Sequence, residues 1–260
     1  MLKAKGINFS IGNKQILQDI NLEFLPGQFN MILGPNGSGK STFLKIFSGE
    51  LQGYSGEVFY GNKKLESIKK TELAKVRAVM SQQPELSFPL MADEVVMMGR
   101  YPHFGFQPTK KDEAICKQVM ARMNIECFSD RNYLTLSGGE KQRVQYARVL
   151  AQIWEPPATG CRYLFLDEPL TSLDINYQQE FLQIAREFTK EHTILVAVMH
   201  DINLAIQFAD QLFFLKEGKL VAKGGVKQIL TADLIKDVFN VDVFVMQNPV
   251  NNKPMVVYIN

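Results

Sequence analysis

Gly34, Pro35, Asn36, Gly37, Ser38, Gly39, Lys40, Ser41 and Thr42 fit the spacing GxxxxGK[ST], and each fixed position has a chemical task. Glycines let the backbone aim several N–H groups at one anion, and a helix opening at the loop's end adds the positive end of its dipole. Lys40 supplies a point charge for the β- and γ-phosphates of a nucleotide, and the Ser41 hydroxyl is a ligand for Mg²⁺. Average composition makes a chance match in a chain this long on the order of one in a hundred. A Gly-rich turn that happens to precede a helix is therefore the weaker explanation. By itself the loop specifies a nucleotide phosphate and leaves GTPases, kinases and ATPases equal.

Two further clusters narrow the chemistry. Arg162 to Leu166 is an apolar run ending in Asp167 and Glu168. At a strand's carboxyl end Asp167 would hold Mg²⁺, directly or through water, and Glu168 could accept a proton from an attacking water or orient it. A strand ending in a solvated acidic turn is the plain alternative, and the preceding phosphate loop weakens it. Between the two sites Ser137, Gly138, Gly139 and Glu140 open a long helical pattern. Ser137 is a natural N-cap, and its hydroxyl with the next backbone N–H groups could meet a phosphate. His200 follows the apolar run Ile194 to Met199, where it could serve chemistry or simply cap the next helix.

These residues need a scaffold, and the chain's periodicity describes one. Phe29 to Leu33 reads as a buried strand, the Gly-rich loop follows, and Phe43, Leu44, Ile46 and Phe47 repeat at helical spacing. Strand, loop and helix in that order form half of a βαβ unit. Short alternating segments before residue 33, and again at GEVFYG and VRAVMSQ, predict more strands. From Pro84 to Pro157 the texture becomes helical, in MADEVVMMGR, KDEAICKQVMARMNI and GGEKQRVQYARVLAQIW. Strand texture returns at Tyr163–Leu166 and Thr193–Met199 around a helical stretch at 175–190. Strands alternating with helices predict a mainly parallel sheet covered on both faces. The organisation expected is one domain over 1–260, with a core at 1–83 and 161–260 and a helical subdomain at 84–160.

Bulk properties bound the class. The 260 residues are 46% hydrophobic and 22% charged, a globular composition. Twenty-nine basic and 27 acidic residues leave a net charge of +2, too balanced for the field of a non-specific nucleic-acid binder. Cys116, Cys127 and Cys161 lack metal or disulfide spacing and are expected to be reduced, mostly buried thiols. No apolar run approaches the roughly 20 residues that cross a bilayer, and the N-terminus lacks a signal peptide's apolar core. A cytosolic chain that can dock on a membrane protein is expected. His103 has no second metal ligand nearby and is expected in a surface loop; Met91, Met97, Met98 and Met120 are expected as core filler.

The order of the motifs resembles the nucleotide-binding subunits of ABC transporters, from about residue 3 to residue 225. Leu136–Glu140 matches that family's signature LSGGE, Gln82 its Q-loop, Ser172-Leu173-Asp174 its D-loop, and His200 its switch histidine. The resemblance implies a phosphate-loop NTPase core of RecA-like type, with an N-terminal antiparallel β-subdomain and an inserted helical signature subdomain. It implies ATP and Mg²⁺ as ligands and a head-to-tail homodimer, in which Ser137, Gly138, Gly139 and Glu140 of one chain contact the ATP held by the other. Glu168 and His200 would be catalytic, Gln82, Ser41 and Asp167 would attend Mg²⁺, and Gln82 would also touch nucleotide. Asp174 would lie at the dimer seam. Two integral membrane permease subunits, and through them a periplasmic or lipid-anchored binding protein, would complete the machine at the cytoplasmic face of the inner membrane. Neither nucleic acid nor cargo would touch this chain.

Within the family, Glu94-Val95-Val96-Met97-Met98-Gly99-Arg100 is similar to importers of iron chelates, haem and vitamin B12. Arg77-Ala78-Val79, Phe88-Pro89, the run Ala147 to Trp154 and the insertion from Glu155 to Cys161 resemble the haem branch; siderophore and cobalamin import are the alternatives. A soluble ABC ATPase of nucleic-acid metabolism would bring a coiled coil or tandem cassettes, and a phosphate-loop kinase would have no use for LSGGE. Two positions depart from the family pattern. Ile11 stands where an aromatic residue usually stacks on adenine, and Leu170 replaces a threonine after Asp-Glu-Pro.

Overall fold

The structure, a computed structural model, describes residues 1–259 except 82–85, 88, 159, 172 and 191. Strands β1 (Leu2–Ile11) and β2 (Lys14–Phe24) form a hairpin before the short buried strand β3 (Phe29–Leu33). The phosphate loop leads into helix α1 (Lys40–Phe47), followed by β4 (Ser55–Tyr60) and β5 (Lys63–Lys64). Helix α2 (Lys70–Val76), which the sequence pattern did not announce, precedes β6 (Arg77–Met80). Then come α3 (Ala92–Met97), α4 (Lys110–Arg122) and α5 (Gly138–Gln152). Alternation resumes with β7 (Arg162–Asp167), α6 (Ile175–Thr189), β8 (Thr193–Val198), α7 (Ile202–Phe208) and β9 (Gln211–Lys216). The chain ends with β10 (Lys219–Gly225), α8 (Val226–Ile229), α9 (Ala232–Phe239) and the hairpin β11 (Val243–Gln247) and β12 (Pro254–Tyr258).

A six-stranded sheet in the order β10-β9-β3-β8-β7-β6 carries the centre of the molecule, parallel except for β10. A separate antiparallel sheet, β2-β1-β4-β5, lies beside it. The near-continuous apolar sequence of β7 and β8 follows from burial on both faces. Tyr163 and Phe165 join Ile194, Val196 and Val198 in one core with α1 and the antiparallel sheet. Leu164 and Leu166 join Leu195 and Ala197 in a second core with α5, α6 and α7. Phe43 and Phe47 stack at 4.1 Å between ring centroids, and Phe24 meets both edge-on, fixing α1 on the sheet. The expected α/β fold with an antiparallel N-terminal subdomain is thus observed, and the helices α3, α4 and α5 follow one another where helical texture was read.

Three local readings change. Of the cysteines, Cys116 is buried, Cys161 half-buried and Cys127 exposed. His103 ends a 3₁₀ turn and is half-buried, with its Nε2 2.7 Å from the Gln152 carbonyl, so it braces α5. Burial lowers its pKa, and the Gln152 contact opposes this. Met120 fills the core as expected, but Met91 is exposed because it precedes α3 at the N-cap position.

Candidate functional site

Strands β3, β8 and β7 are neighbours in one parallel sheet, so their carboxyl ends open on the same edge. That edge is where open α/β sheets bind ligands. The phosphate loop leaves β3, Asp167 ends β7, and His200 lies two residues beyond β8. Gly39 has φ +99°, and a Cβ there would come within 2.8 Å of the Ile16 carbonyl, so the loop's turn admits only glycine. Gly34 is held as tightly, since a Cβ would lie 2.2 Å from the Leu215 carbonyl oxygen.

Lys40 is almost fully buried and its Nζ donates to the carbonyls of Gly34 at 2.8 Å and Pro35 at 3.0 Å. Burial lowers its pKa, opposed by the charges of Glu168 and Asp167. The Ser41 hydroxyl donates to Asp167 Oδ1 at 3.2 Å, joining α1 to the end of β7. Asp167 is 5% exposed, and burial raises its carboxyl pKa; the Ser41 hydrogen bond opposes that rise and the neighbouring Glu168 charge adds to it. Ser38 Oγ is buried beside Gly34 without a hydrogen-bond partner among the described residues, an orphaned donor. A buried hydroxyl without an acceptor, a buried ammonium and backbone N–H groups suit phosphate oxygens. The Ser41 hydroxyl and Asp167 carboxylate are hard oxygen donors that suit Mg²⁺.

Glu168 occupies the left-handed region at φ +51°, uncommon for a side chain with a Cβ. Its N–H donates to the Val198 carbonyl at 3.2 Å, and its own carbonyl accepts from the Thr171 hydroxyl at 3.1 Å. The turn brings Glu168 Oε1 to 2.5 Å from His200 Nε2. His200 does not cap α7. Asp201 does, accepting from Leu204 N–H at 2.9 Å, which leaves the imidazole to Glu168. An aspartate directly before a helical run is a legible cap signal.

Ser137 caps α5 in a capping box: its hydroxyl accepts from Glu140 N–H at 3.3 Å, and Glu140 Oε2 accepts from Ser137 N–H at 2.7 Å. Ser137 and Gly138 are exposed and Gly139 half-exposed. Among the described residues no hydrogen bond joins 137–140 to the phosphate loop. Within one chain the structure brings together Lys40, Ser41, Asp167, Glu168 and His200, without a hydrogen bond from the signature to them among the described residues. Asp174 caps α6 through Tyr177 N–H at 3.0 Å. Gln82 and Ser172 lie outside the described residues.

Residues 17–171 match the ABC transporter family. A hemin import ATP-binding protein of Gloeobacter violaceus is 44% identical over 99% of this chain and 94% of its own length. One of Escherichia coli O157:H7 is 39% identical over 99% of each. This chain belongs to the ABC transporter family, among its ATP-binding subunits.

Solved cassettes agree. A dimeric bacterial ABC transporter cassette, MJ0796, superposes with a TM-score of 0.74 at 29% identity, over 86% of this chain and 98% of its own. An ABC transporter in an inward-facing conformation, 22% identical, shares the fold over the whole chain with a TM-score of 0.83. The cassette fold and ATPase class expected from the motifs are borne out. Among the described residues no helix is long and apolar enough to cross a membrane.

Proposed function

We propose that this cassette hydrolyses Mg-ATP to drive hemin import, with the residues at the ends of β3, β7 and β8 as its catalytic half-site. The observation that carries the reading is the joined pair Ser41–Asp167 beside the pair Glu168–His200. Hemin is the cargo named for relatives matching nearly the whole chain, which favours it over siderophore and cobalamin.

ATP enters with its phosphates against the loop 34–42. Lys40 leaves the Gly34 and Pro35 carbonyls for the β- and γ-phosphates, and Ser38 Oγ gains an acceptor. Ser41 and Asp167 would hold Mg²⁺, which when bound screens the phosphate charge. Gln82 would act beside them. Glu168 takes the proton of the attacking water or orients that water, and His200 steadies Glu168 and meets the γ-phosphate. Ser137, Gly138, Gly139 and Glu140 face the nucleotide of a second copy, in line with the lack of a hydrogen bond to this chain's own loop among the described residues. The related cassette MJ0796 is dimeric, and one structure of its dimer is bound to ADP and phosphate, which supports a dimer here. Asp174 would lie at the seam between the copies.

The division into a core at 1–83 and 161–260 and a helical subdomain at 84–160 gives the partners separate surfaces. A groove of 840 Å³ beside α3 and α4 carries Met97, Tyr101, Phe104 and Phe106 with Asp93 and Glu113. Cytoplasmic loops of membrane proteins are rich in Lys and Arg, so a permease loop suits this apolar and acidic lining. The cassette would thus work at the cytoplasmic face of the inner membrane on two permease subunits, touching neither cargo nor nucleic acid.

Glu168→Gln tests the chemistry: ATP binding should persist while turnover falls at least about 100-fold, and hydrolysis at the parental rate would sink the assignment. For the cargo, the cassette is reconstituted with its permease and binding protein. Hemin-loaded binding protein should stimulate hydrolysis; stimulation by a ferric siderophore or cobalamin instead would overturn the hemin reading.

A further inference from the structure

Gln142 lies one turn into α5, past the signature residues, and has no part in the chemistry proposed above. Its Nε2 nevertheless donates to the Pro169 carbonyl, one residue beyond Glu168, and to the Tyr146 hydroxyl at 3.3 Å. Its Oε1 is buried with no hydrogen-bond partner among the described residues. An amide that leaves a buried acceptor unsatisfied keeps its place through its donors. Tyr146 is itself fixed, buried and stacked on Phe181 of α6 at 3.8 Å between centroids.

The turn that Gln142 grips is the strained one. Glu168 keeps φ +51°, and such conformations persist where surrounding contacts over-determine them. Among the described residues, three elements hold this turn. Val198 takes the Glu168 N–H from β8, Gln178 of α6 donates to the carbonyls of Leu170 at 3.4 Å and Leu173 at 3.0 Å, and Gln142 holds Pro169 from α5. Of these named contacts, the last originates on the helix that Ser137 caps.

We propose that Gln142 is a positioning residue that ties the signature end of α5 to the Glu168 turn, so that nucleotide clasped at one site of the dimer sets the carboxylate of the other. This rests on the reading that Glu168 serves this chain's own nucleotide and Ser137–Gly139 the partner's. A shift of α5 as its N-terminus engages phosphate is transmitted through a single amide to the Pro169 carbonyl. From there it reaches the reach of Glu168 toward water. The coupling element is a hydrogen bond between two rigid parts, the capped helix and the strand-end turn.

Gln142→Met keeps length and volume and deletes both donated hydrogen bonds. In the purified full chain, ATP affinity measured without turnover should stay within about twofold while kcat falls about tenfold, because an ångström of misplacement can cost up to about a hundredfold. The Hill coefficient for ATP in steady-state hydrolysis should fall toward one. Tyr146→Phe, which keeps the ring stack and removes only the hydroxyl beside the amide, should move both quantities the same way by less. A Gln142→Met chain with parental kcat and Hill coefficient overturns the proposal. So does a loss of kcat that matches a loss of folded protein with cooperativity intact. The outcome is separable from the base assignment: Glu168→Gln hydrolysing normally defeats that assignment, whereas a silent Gln142→Met with an inactive Glu168→Gln defeats only the coupling.

Discussion

His200 Nε2 lies 2.5 Å from Glu168 Oε1, although β7 and β8 deliver them from different strands. The contact depends on the left-handed turn at Glu168 and on Asp201 taking over the cap of α7. Removing the imidazole takes away the His200 contact on the carboxylate but leaves the phosphate loop untouched. His200→Ala should therefore lower kcat by about 10- to 100-fold with ATP affinity unchanged, measured by steady-state hydrolysis alongside equilibrium nucleotide binding. A parallel loss of affinity would place His200 in ground-state binding instead.

Asp167 sets stability against function. Burial raises its folded-state pKa above the ordinary 3.8, despite the Ser41 hydrogen bond. A raised acid contributes stability below its unfolded pKa and loses that contribution as pH rises through the folded value. At neutral pH the ionised carboxylate is thus a cost to the nucleotide-free chain. Asp167→Asn should raise the thermal midpoint at pH 7 without nucleotide or Mg²⁺, and the gain should shrink as the pH falls through the wild-type folded pKa and vanish below the ordinary carboxylate value. The same change should cut Mg²⁺-dependent hydrolysis about 100-fold, or ~3 kcal/mol in the barrier. Thermal scans across pH, paired with Mg²⁺ titrations of activity, separate the two effects.

Arg100 is 1% exposed and holds three segments together: Nε donates to Asp112 Oδ1 at 2.9 Å, Nη1 to the Ala151 carbonyl at 2.9 Å and Nη2 to Glu155 Oε2 at 3.3 Å. Arg100→Leu would leave the buried Asp112 without its charged partner, holding only its Thr109 hydrogen bonds, and should cost roughly 3–5 kcal/mol in urea unfolding. Burial pushes the Asp112 carboxyl up, but the Thr109 hydroxyl and N–H and the Arg100 guanidinium outweigh it and hold it below 3.8. A depressed acid stabilises above its unfolded pKa and stops doing so as pH falls through the folded one. The wild-type advantage over Arg100→Leu should thus be flat from neutrality to about pH 4 and shrink below it.

How far the sequence could be read depended on how local each constraint was. The loop 34–42 and the pair Asp167–Glu168 were legible because phosphate chemistry fixes both residue type and spacing. Strands β7 and β8 were legible because burial on two faces leaves an unbroken apolar run. Helix α2 was not, since Lys70, Thr71, Glu72 and Lys75 outweigh its one buried apolar residue, Leu73. Nothing in spacing could reveal that Gln142 reaches Pro169 or that Arg100 bridges to Asp112 and Glu155. Those contacts exist only after distant segments have packed.

Ile11 offers the last test. It is 63% exposed at the end of β1, paired across the hairpin with Lys14, and the same hairpin places the Ile16 carbonyl against Gly39 of the phosphate loop. The hairpin thus borders the loop that would hold the phosphates, and a base lying along it would meet Ile11. An aliphatic side chain offers such a base a contact area but no π-face. Stacking of a base on an aromatic ring is worth about 1–3 kcal/mol, and the exposed site has room for a ring without disturbing the core. Ile11→Tyr should lower the ATP concentration for half-saturation about 5-fold or more with kcat little changed. Equilibrium titration with ATP decides: equal affinity in parent and variant would show that the base is held away from this hairpin.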